Sequence, residues 1–523
     1  MRNAVGRDIP ESVLNGREGF QGNNYRDGMT YTKPGPTVRA FVKPQRGERG
    51  EEGKVVSSIR AAVERCGLRD GMTVSFHHHF RDGDYVVSMV MREIDAMGFK
   101  NITVAASSLG DAHDDLVPMI ERGVITGIQT SGIRGKIGDA VSGGKLATPA
   151  VLRSHGGRVR AIESGEVHID VAFIGAPTSD ECGNARGKGG KSDCGVLSYA
   201  MVDARYADKV VVITDTLVPF PNFPPSIEAV DVDFVVTVDA IGDPKKISSQ
   251  AARMSQDPRD LMMAENCARV MAALPTFKDG FSFQTGAGGP SLAVNRFLEP
   301  RMRERDIRMR WAIGGISAPT VDLLNKGLIE NIVDTQDFDI AAVQSVHEHP
   351  NHYEISTSQY ANPMNKGAFV NKLDFVILAA LEIDTGFNVN VVTGSDGILR
   401  GAPGGHPDAS AGAKCTIIVT PLVRGRMPTV CERVVTVTTP GESIDVLVTD
   451  YGIAVNPARR DIVGALDAAN IPHTTIEALK DKAYAIVGRP DDLRFEERVI
   501  AVMEARDGTI LDVVRQIGKY KLD

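Results

Sequence analysis

The sequence predicts an α/β protein built from two homologous, mainly parallel domains, and three observations predict it. Segments of helical period alternate with short, continuous apolar runs. Those runs lack the polar alternation of a half-exposed strand, as expected of parallel strands covered by helices on both faces. The second half also repeats the first in order: "LRDGMTVSFHHH" (68–79) parallels "FKDGFSFQTGAG" (277–288), and "LVPMIERGVITGI" (116–128) parallels "TVDLLNKGLIENI" (320–332). The echo continues from Ile169 against Leu373, from Ala207 against Gly412, and from "VDFVVTVDAIGDP" against "IDVLVTDYGIAVNP".

In chain order, residues 1–54 are rich in Gly, Pro, Arg and Asn without periodicity and read as an extended N-terminal arm. The first domain, 55–258, opens with a helix, a charged Gly turn and a strand through "VVSSIRAAVERCGLRDGMTVSFHHHF". A helix, "VVSMVMREIDAMGF", and a strand, "NITVAAS", follow. A linker is expected in "DPKKISSQAARMSQDP" (243–258), where charged and small polar residues replace apolar periodicity. The second domain, 259–523, carries two glycine-rich stretches that the first does not match. It is expected to hold the main site, with the first domain as the other wall of a crevice near the carboxyl ends of the strands.

Composition excludes several classes. A chain of 523 residues exceeds what one core organises. The net charge of −8, with signs mixed along the chain, argues against a nucleic-acid partner. Cys66, Cys182, Cys194, Cys267, Cys415 and Cys431 form no C-x-x-C pair and read as reduced thiols. The N-terminus lacks an apolar signal core and runs such as "DFVILAAL" are too short to span a bilayer, so a cytoplasmic protein is expected.

Four motifs invite chemistry. In "FSFQTGAGGPSLAVNRFL" (281–298) a strand meets a helix across Gly286, Gly288 and Gly289, but Ser291 stands where a dinucleotide fingerprint needs its third glycine. The bared amides suit a phosphate or the oxygen of an acyl group under attack. "GSDGILRGAPGGHPDASAGAK" (394–414) places Arg400 and His406 around Gly401, Gly404 and Gly405, and "SGIRGKIGDAVSGGK" from Ser131 offers Arg134, Lys136 and Lys145 to an anion. His77, His78 and His79 suggest a metal, yet along a strand only the first and third share a side, and no cysteine pair helps them. "HEHPNH" (347–352) has Asn351 where H-E-x-x-H needs histidine. No metal is expected.

"APTSDECGNARG" (176–187), "FQTGAGG", "GSDGILRGAPGG" and "VTDYGIAV" (448–455) resemble recurrent motifs of the family I coenzyme A transferase superfamily, a likeness that runs from about Val55 onward. Within it, "SFHHHFRDGD", "SGIRGKIGDAVSGGK", "RWAIGGIS" and "GAPGGHPDASAGAK" resemble the family of citrate lyase alpha subunits. The resemblance implies a coenzyme A transferase-like fold and an exchange of acyl groups: acetyl on an acyl carrier protein is replaced by citryl, and acetate leaves. It implies no tightly bound cofactor. The substrate thioester sits on a coenzyme A-like arm of the carrier, with free coenzyme A thioesters as possible substitutes. The implied partners are the carrier (gamma) and citryl lyase (beta) subunits, with a homo-oligomer inside the complex.

Most relatives in the superfamily place a nucleophilic Glu in the strand where this chain reads "MRWAIGGISAPTVDLLNKG", and Gly314 holds that position. The expected chemistry is therefore direct, with a citrate carboxylate as nucleophile. Gly288, Gly289, Gly404 and Gly405 are the candidates for holding the oxyanion. Gly286, Gly288, Gly289, Gly401 and Gly404 are the candidates for the coenzyme A arm, and Arg400, His406, Arg134 and Lys136 for citrate. The competing readings are a hydrolase or another carboxylate coenzyme A transferase on this fold, a non-catalytic scaffold subunit, and a dinucleotide oxidoreductase, which the failed fingerprint disfavours.

Overall fold

A computed structural model describes residues 1–20, 53–247 and 254–518. It contains the two expected mainly parallel sheets. The first runs in the order Val55–Val56, Phe234–Thr237, Lys209–Thr214, Val171–Ala176, Thr73–Phe76, Ile102–Ala106, Ile125–Thr130, Ala150–Leu152, Phe495–Glu504, Ile510–Ile517. The second runs Gly452–Val455, Val446–Thr449, Cys415–Val419, Phe375–Leu378, Phe281–Thr285, Met309–Ile316, Ile332–Asp337, His352–Glu354. Seven consecutive strands of each sheet follow the same chain path, so the sequence repeat is a repeat of topology. Only the terminal pairs, 446–455 and 495–517, are antiparallel.

Helices cover both faces, which explains the unbroken apolar strands: Val171–Ala176 and Phe375–Leu378 are buried at every position. One core holds the first sheet. Two cores lie in the second half, one around Phe281, Phe283 and Ile417, the other around Val376, Leu378 and Ile418.

Along these seven strands of each sheet the chain starts in the middle, adds three strands on one side, then crosses back to add three on the other. The crossing leaves a switch point beyond Phe76 in the first sheet and beyond Thr285 in the second. Crevices of open α/β sheets lie at such points. His77–His79 and Gly286–Gly289 stand directly after them.

The structure differs from the expected boundaries at both ends. The hairpin 495–517 does not belong with 259–494: Ala501–Met503 pairs with Ala150–Leu152 and extends the first sheet. A hairpin is encoded locally, but the sheet that receives it is not. Residues 1–20 are folded onto this hairpin, with Ile9 buried among Val502, Ile510 and Val513 and Arg7 paired to Asp512. The rest of the expected arm, 21–52, and the middle of the expected linker, 248–253, lie outside the described residues. All six cysteines are free. Among the described residues no helix is long and apolar enough to cross a membrane.

Candidate active site between the two sheets

The glycine-rich stretch 394–414 and the basic segment 131–145, both singled out in the sequence, meet across the domain boundary. Ile133 N donates to Gly401 O (3.2 Å), Gly404 N to Ser131 O (3.3 Å), His155 N to Gly404 O (2.8 Å) and Leu399 N to the Ser142 hydroxyl (3.0 Å). A Cβ on Gly132 would overlap the Ala402 methyl, and one on Gly405 would overlap the Tyr360 hydroxyl, so these glycines let neighbouring side chains lie directly against the backbone. Asp408, fully buried in the helix His406–Gly412, accepts from Ser154 Oγ and Gly156 N (2.8 Å each) at the start of the helix His155–Glu163. A carboxylate of one half thereby satisfies a helix N-terminus of the other. Burial still raises its carboxyl to about 6, with Arg506 opposing.

This docking brings His155 against the switch-point histidines. Ring centroids lie 5.6 Å apart for His78 and His155, 4.6 Å for His78 and Tyr199, and 4.7 Å for His155 and Tyr199. Burial drives all of these imidazoles toward the neutral form: His77 falls to about 4, His155 to about 3, and His78 and His79 well below the usual range. For His78 the neighbouring charges of Arg81 and Arg134 add to the effect. His155 Nδ1, His79 Nε2, Ser131 Oγ and Gln284 Oε1 are buried without a partner, which marks a polar lining built for something else.

The wall on the second sheet is Gln284, Gly314 and the turn 286–289. Gly314 sits at a bulge with φ +109°, a conformation an L residue rarely adopts, and a Cβ there would lie 3.0 Å from the Gln284 side chain. Gln284 Nε2 donates to the Tyr360 hydroxyl (2.8 Å). The strand Met309–Ile316 carries no carboxylate at all.

Beyond Gln284, Gly286 N donates to Ile377 O, and Gly288 caps the helix Gly289–Glu304 without a side-chain bond. The first-turn amides of Gly289 and Ser291 therefore have no intrahelical acceptor. Gly286, Gly288 and Gly289 all avoid positive φ. Glycine here leaves the backbone bare; it does not relieve a strained turn.

The other candidates separate clearly. His406 is buried, its Nδ1 on the Thr439 hydroxyl (2.7 Å) and its Nε2 on Ala379 O (3.1 Å), and burial holds it near 4. It fixes Ala379, whose methyl group faces Gly288, and has no nitrogen left for a ligand. Arg400 is about half exposed and bound to Asp396 (2.9 Å) and Asp139 (3.8 Å) at the surface. Lys136 pairs with Asp114 and Lys145 with Glu121, both in solvent. Arg134, at the start of the helix Gly135–Ser142, is exposed and has no carboxylate partner among the described residues.

Sequence reasoning missed Arg81. Its backbone is left-handed (φ +52°), its guanidinium lies 4.7 Å from the centre of the Phe338 ring, and Phe338 in turn covers Gly315 of the bulge. Its Nε is buried without a partner. The signal was present in "HHHFRDGD", one of the stretches that carried the family likeness. His155, Tyr199, Gln284 and Tyr360 gave no signal, because tertiary convergence alone assembles them.

A family model described as "Citrate lyase, alpha subunit (CitF)" matches residues 52–517. The chain is 54% identical to the citrate lyase alpha chain of Haemophilus influenzae over 89% of its length and 93% of the relative's, and 53% identical to that of Escherichia coli over 90% and 92%. A solved Streptococcus mutans structure, described as an alpha subunit of citrate lyase in complex with citrate, superposes with a TM-score of 0.94. Its identity is 49%, and the match covers 99% of this chain and 100% of that one. The alpha subunit of an Acinetobacter baumannii malonate decarboxylase (15% identity, TM-score 0.62, 83% of this chain and 87% of that one) shares the fold. So does a 4-hydroxybutyrate CoA-transferase from Porphyromonas gingivalis (19%, 0.54, 83% and 98%). With one family model spanning nearly the whole chain and relatives above half identity along it, this chain belongs to the citrate lyase alpha-subunit family.

Proposed function

We propose that this chain is the transferase of a citrate lyase complex, converting acetyl-carrier and citrate into citryl-carrier and acetate. Gly314 carries this reading: at the bulge facing Gln284, where the superfamily resemblance places a nucleophilic Glu, there is no side chain. The substrate then supplies the nucleophile. A citrate carboxylate oxygen attacks the acetyl thioester carbon, the C–S bond breaks, and a mixed anhydride forms with release of the carrier thiolate. The thiolate attacks the citryl carbonyl, and acetate leaves as that C–O bond breaks. One thioester replaces another, so neither ATP nor a protonated leaving group is needed.

Each protein group has a matching task. The amides at Gly288 and Gly289 hold the tetrahedral oxyanion. Arg81 and Arg134, cationic groups without a carboxylate ion pair among the described residues, hold citrate carboxylates. The neutral His78, His155 and Tyr199 give the anions a polar but uncharged surround that excludes water from the anhydride. The backbone of the loop 401–405 docks the two halves, through the Gly401 and Gly404 carbonyls and the Gly404 amide. The partners of this reading are a carrier bearing a coenzyme A-like arm and a lyase subunit that cleaves the citryl thioester.

The chain alone is expected to exchange label from acetyl-coenzyme A into citryl-coenzyme A in the presence of citrate. Borohydride trapping during turnover should yield no reduced Glu on peptide mass analysis. Absence of exchange by folded protein would favour a scaffold subunit, and a reduced Glu would replace the direct mechanism by a glutamyl one. Arg400→Ala is expected to change citrate affinity less than about fivefold, since half-exposed ion pairs contribute at most about 1 kcal/mol. A larger loss in calorimetric titration would return Arg400 to the citrate site.

A further inference from the structure

We propose that Asp334, Asp337 and His352 form a binding site for one divalent transition-metal cation, seated where the second sheet meets the first domain. The two aspartates lie on the strand Ile332–Asp337, and His352 pairs beside its start. Their donor atoms all fall within 4.8 Å of one another, and the residues are 0%, 3% and 5% exposed. Asp334 accepts from Gln336 N (2.7 Å) and meets His352 Nε2 at 3.0 Å. Asp337, by contrast, receives no N–H or hydroxyl donor on either oxygen among the described residues, and its polar neighbour is the Asp334 carboxyl itself.

Such a carboxylate needs an explanation, because a charge in a dry interior costs several kcal/mol unless it is paired. No cation among the described residues answers it. Asp193 and Glu354 add further negative charge nearby, and the ammonium of Lys188 is bonded to Val346 O (2.6 Å). The surroundings nevertheless make room for the carboxylate: a Cβ on Gly195, in the first domain, would overlap Asp337 Oδ2.

The donor set suits a metal. In a tetrahedral site with ligands about 2.0 Å from the ion, neighbouring donors stand about 3.3 Å apart, close to the observed separation of His352 Nε2 and Asp334 Oδ2. His352 Nδ1 is bonded to Ser345 Oγ (2.9 Å), which turns Nε2 toward the aspartates as an outer partner does for a ligating imidazole. Two carboxylates with one imidazole favour Zn²⁺ or Mn²⁺ over Mg²⁺. The exposed group His168, Asp170 and Asp208 is different in kind: His168 and Asp208 form a solvated pair.

The test uses the full chain, stripped with a chelator and then loaded with ZnCl2. His168→Ala is carried in every sample to silence the exposed group. The expected result is one tightly held Zn²⁺ per chain by elemental mass spectrometry, accompanied by a rise in melting temperature. Asp337→Asn should weaken that site by more than the roughly 10–100-fold that losing an outer partner costs. In chelator, the same variant should melt no lower than the parent, because the amide removes a like-charge contact. His352→Gln provides a second route should Asp337→Asn fail to fold. Zinc bound equally by parent and variants, or no zinc retained by the parent, would make the cluster a proton-sharing carboxylate pair and overturn the proposal.

Discussion

Arg81→Ala is expected to raise the KM for citrate by about one and a half to three decades while kcat changes little, the loss of about 2–4 kcal/mol that accompanies removal of a charge-assisted contact to a desolvated carboxylate. Arg81 sits on the Phe338 ring, adjacent to the Gly314–Gly315 bulge, and the imidazoles around it are neutral. Few other positive charges near the bulge can offset a tricarboxylate. Arg81→Gly distinguishes binding from folding: it removes the same charge but relaxes a backbone held at φ +52°. It should bind citrate as poorly as the alanine variant while melting no lower than the wild type. Unchanged citrate KM in either variant would remove Arg81 from the site.

The second large effect is expected at the turn after Thr285. Gly289→Val should lower kcat by roughly two to three decades, the cost of displacing one oxyanion-hole donor, with citrate binding nearly unchanged. Because Gly289 avoids positive φ, valine brings no left-handed strain. A loss of turnover can therefore be assigned to the covered amides and not to a misfolded loop. Normal turnover in single-turnover experiments would make "TGAGG" a structural turn and move the oxyanion to another donor.

The fold was legible because the repeat in the sequence is a repeat of strand order, and short Val/Ile runs between helices leave few other arrangements. The hairpin 495–517 was not: its strand and turn residues specify pairing with each other, while the edge that receives them, Ala150–Leu152, lies far away in the chain. The site divides in the same manner. Glycine-rich loops announce themselves, since a bared backbone must be written in composition. Side chains such as His155, Tyr199 and Gln284 acquire their roles only by convergence and carry no local mark. Arg400 drew attention because it stands beside a glycine loop, while Asp396, four residues earlier, is the partner that holds it at the surface.

The return of the C-terminal hairpin to the first sheet also has a consequence for synthesis. Arg153 Nη2 donates to Glu504 Oε1 (2.9 Å) in the interior, across 351 residues of chain. At ordinary ribosomal speeds of about 5–20 residues per second, the edge at Ala150–Leu152 waits roughly 20 to 70 s for its neighbour to emerge. The second sheet closes its own far edge with the nearby turn at 450–451 and has no such delay. The half made first is thus finished last. A nascent chain exposes an open strand edge and an unpaired buried arginine for most of its synthesis, the interval in which a chaperone or a neighbouring nascent copy would find a strand to join.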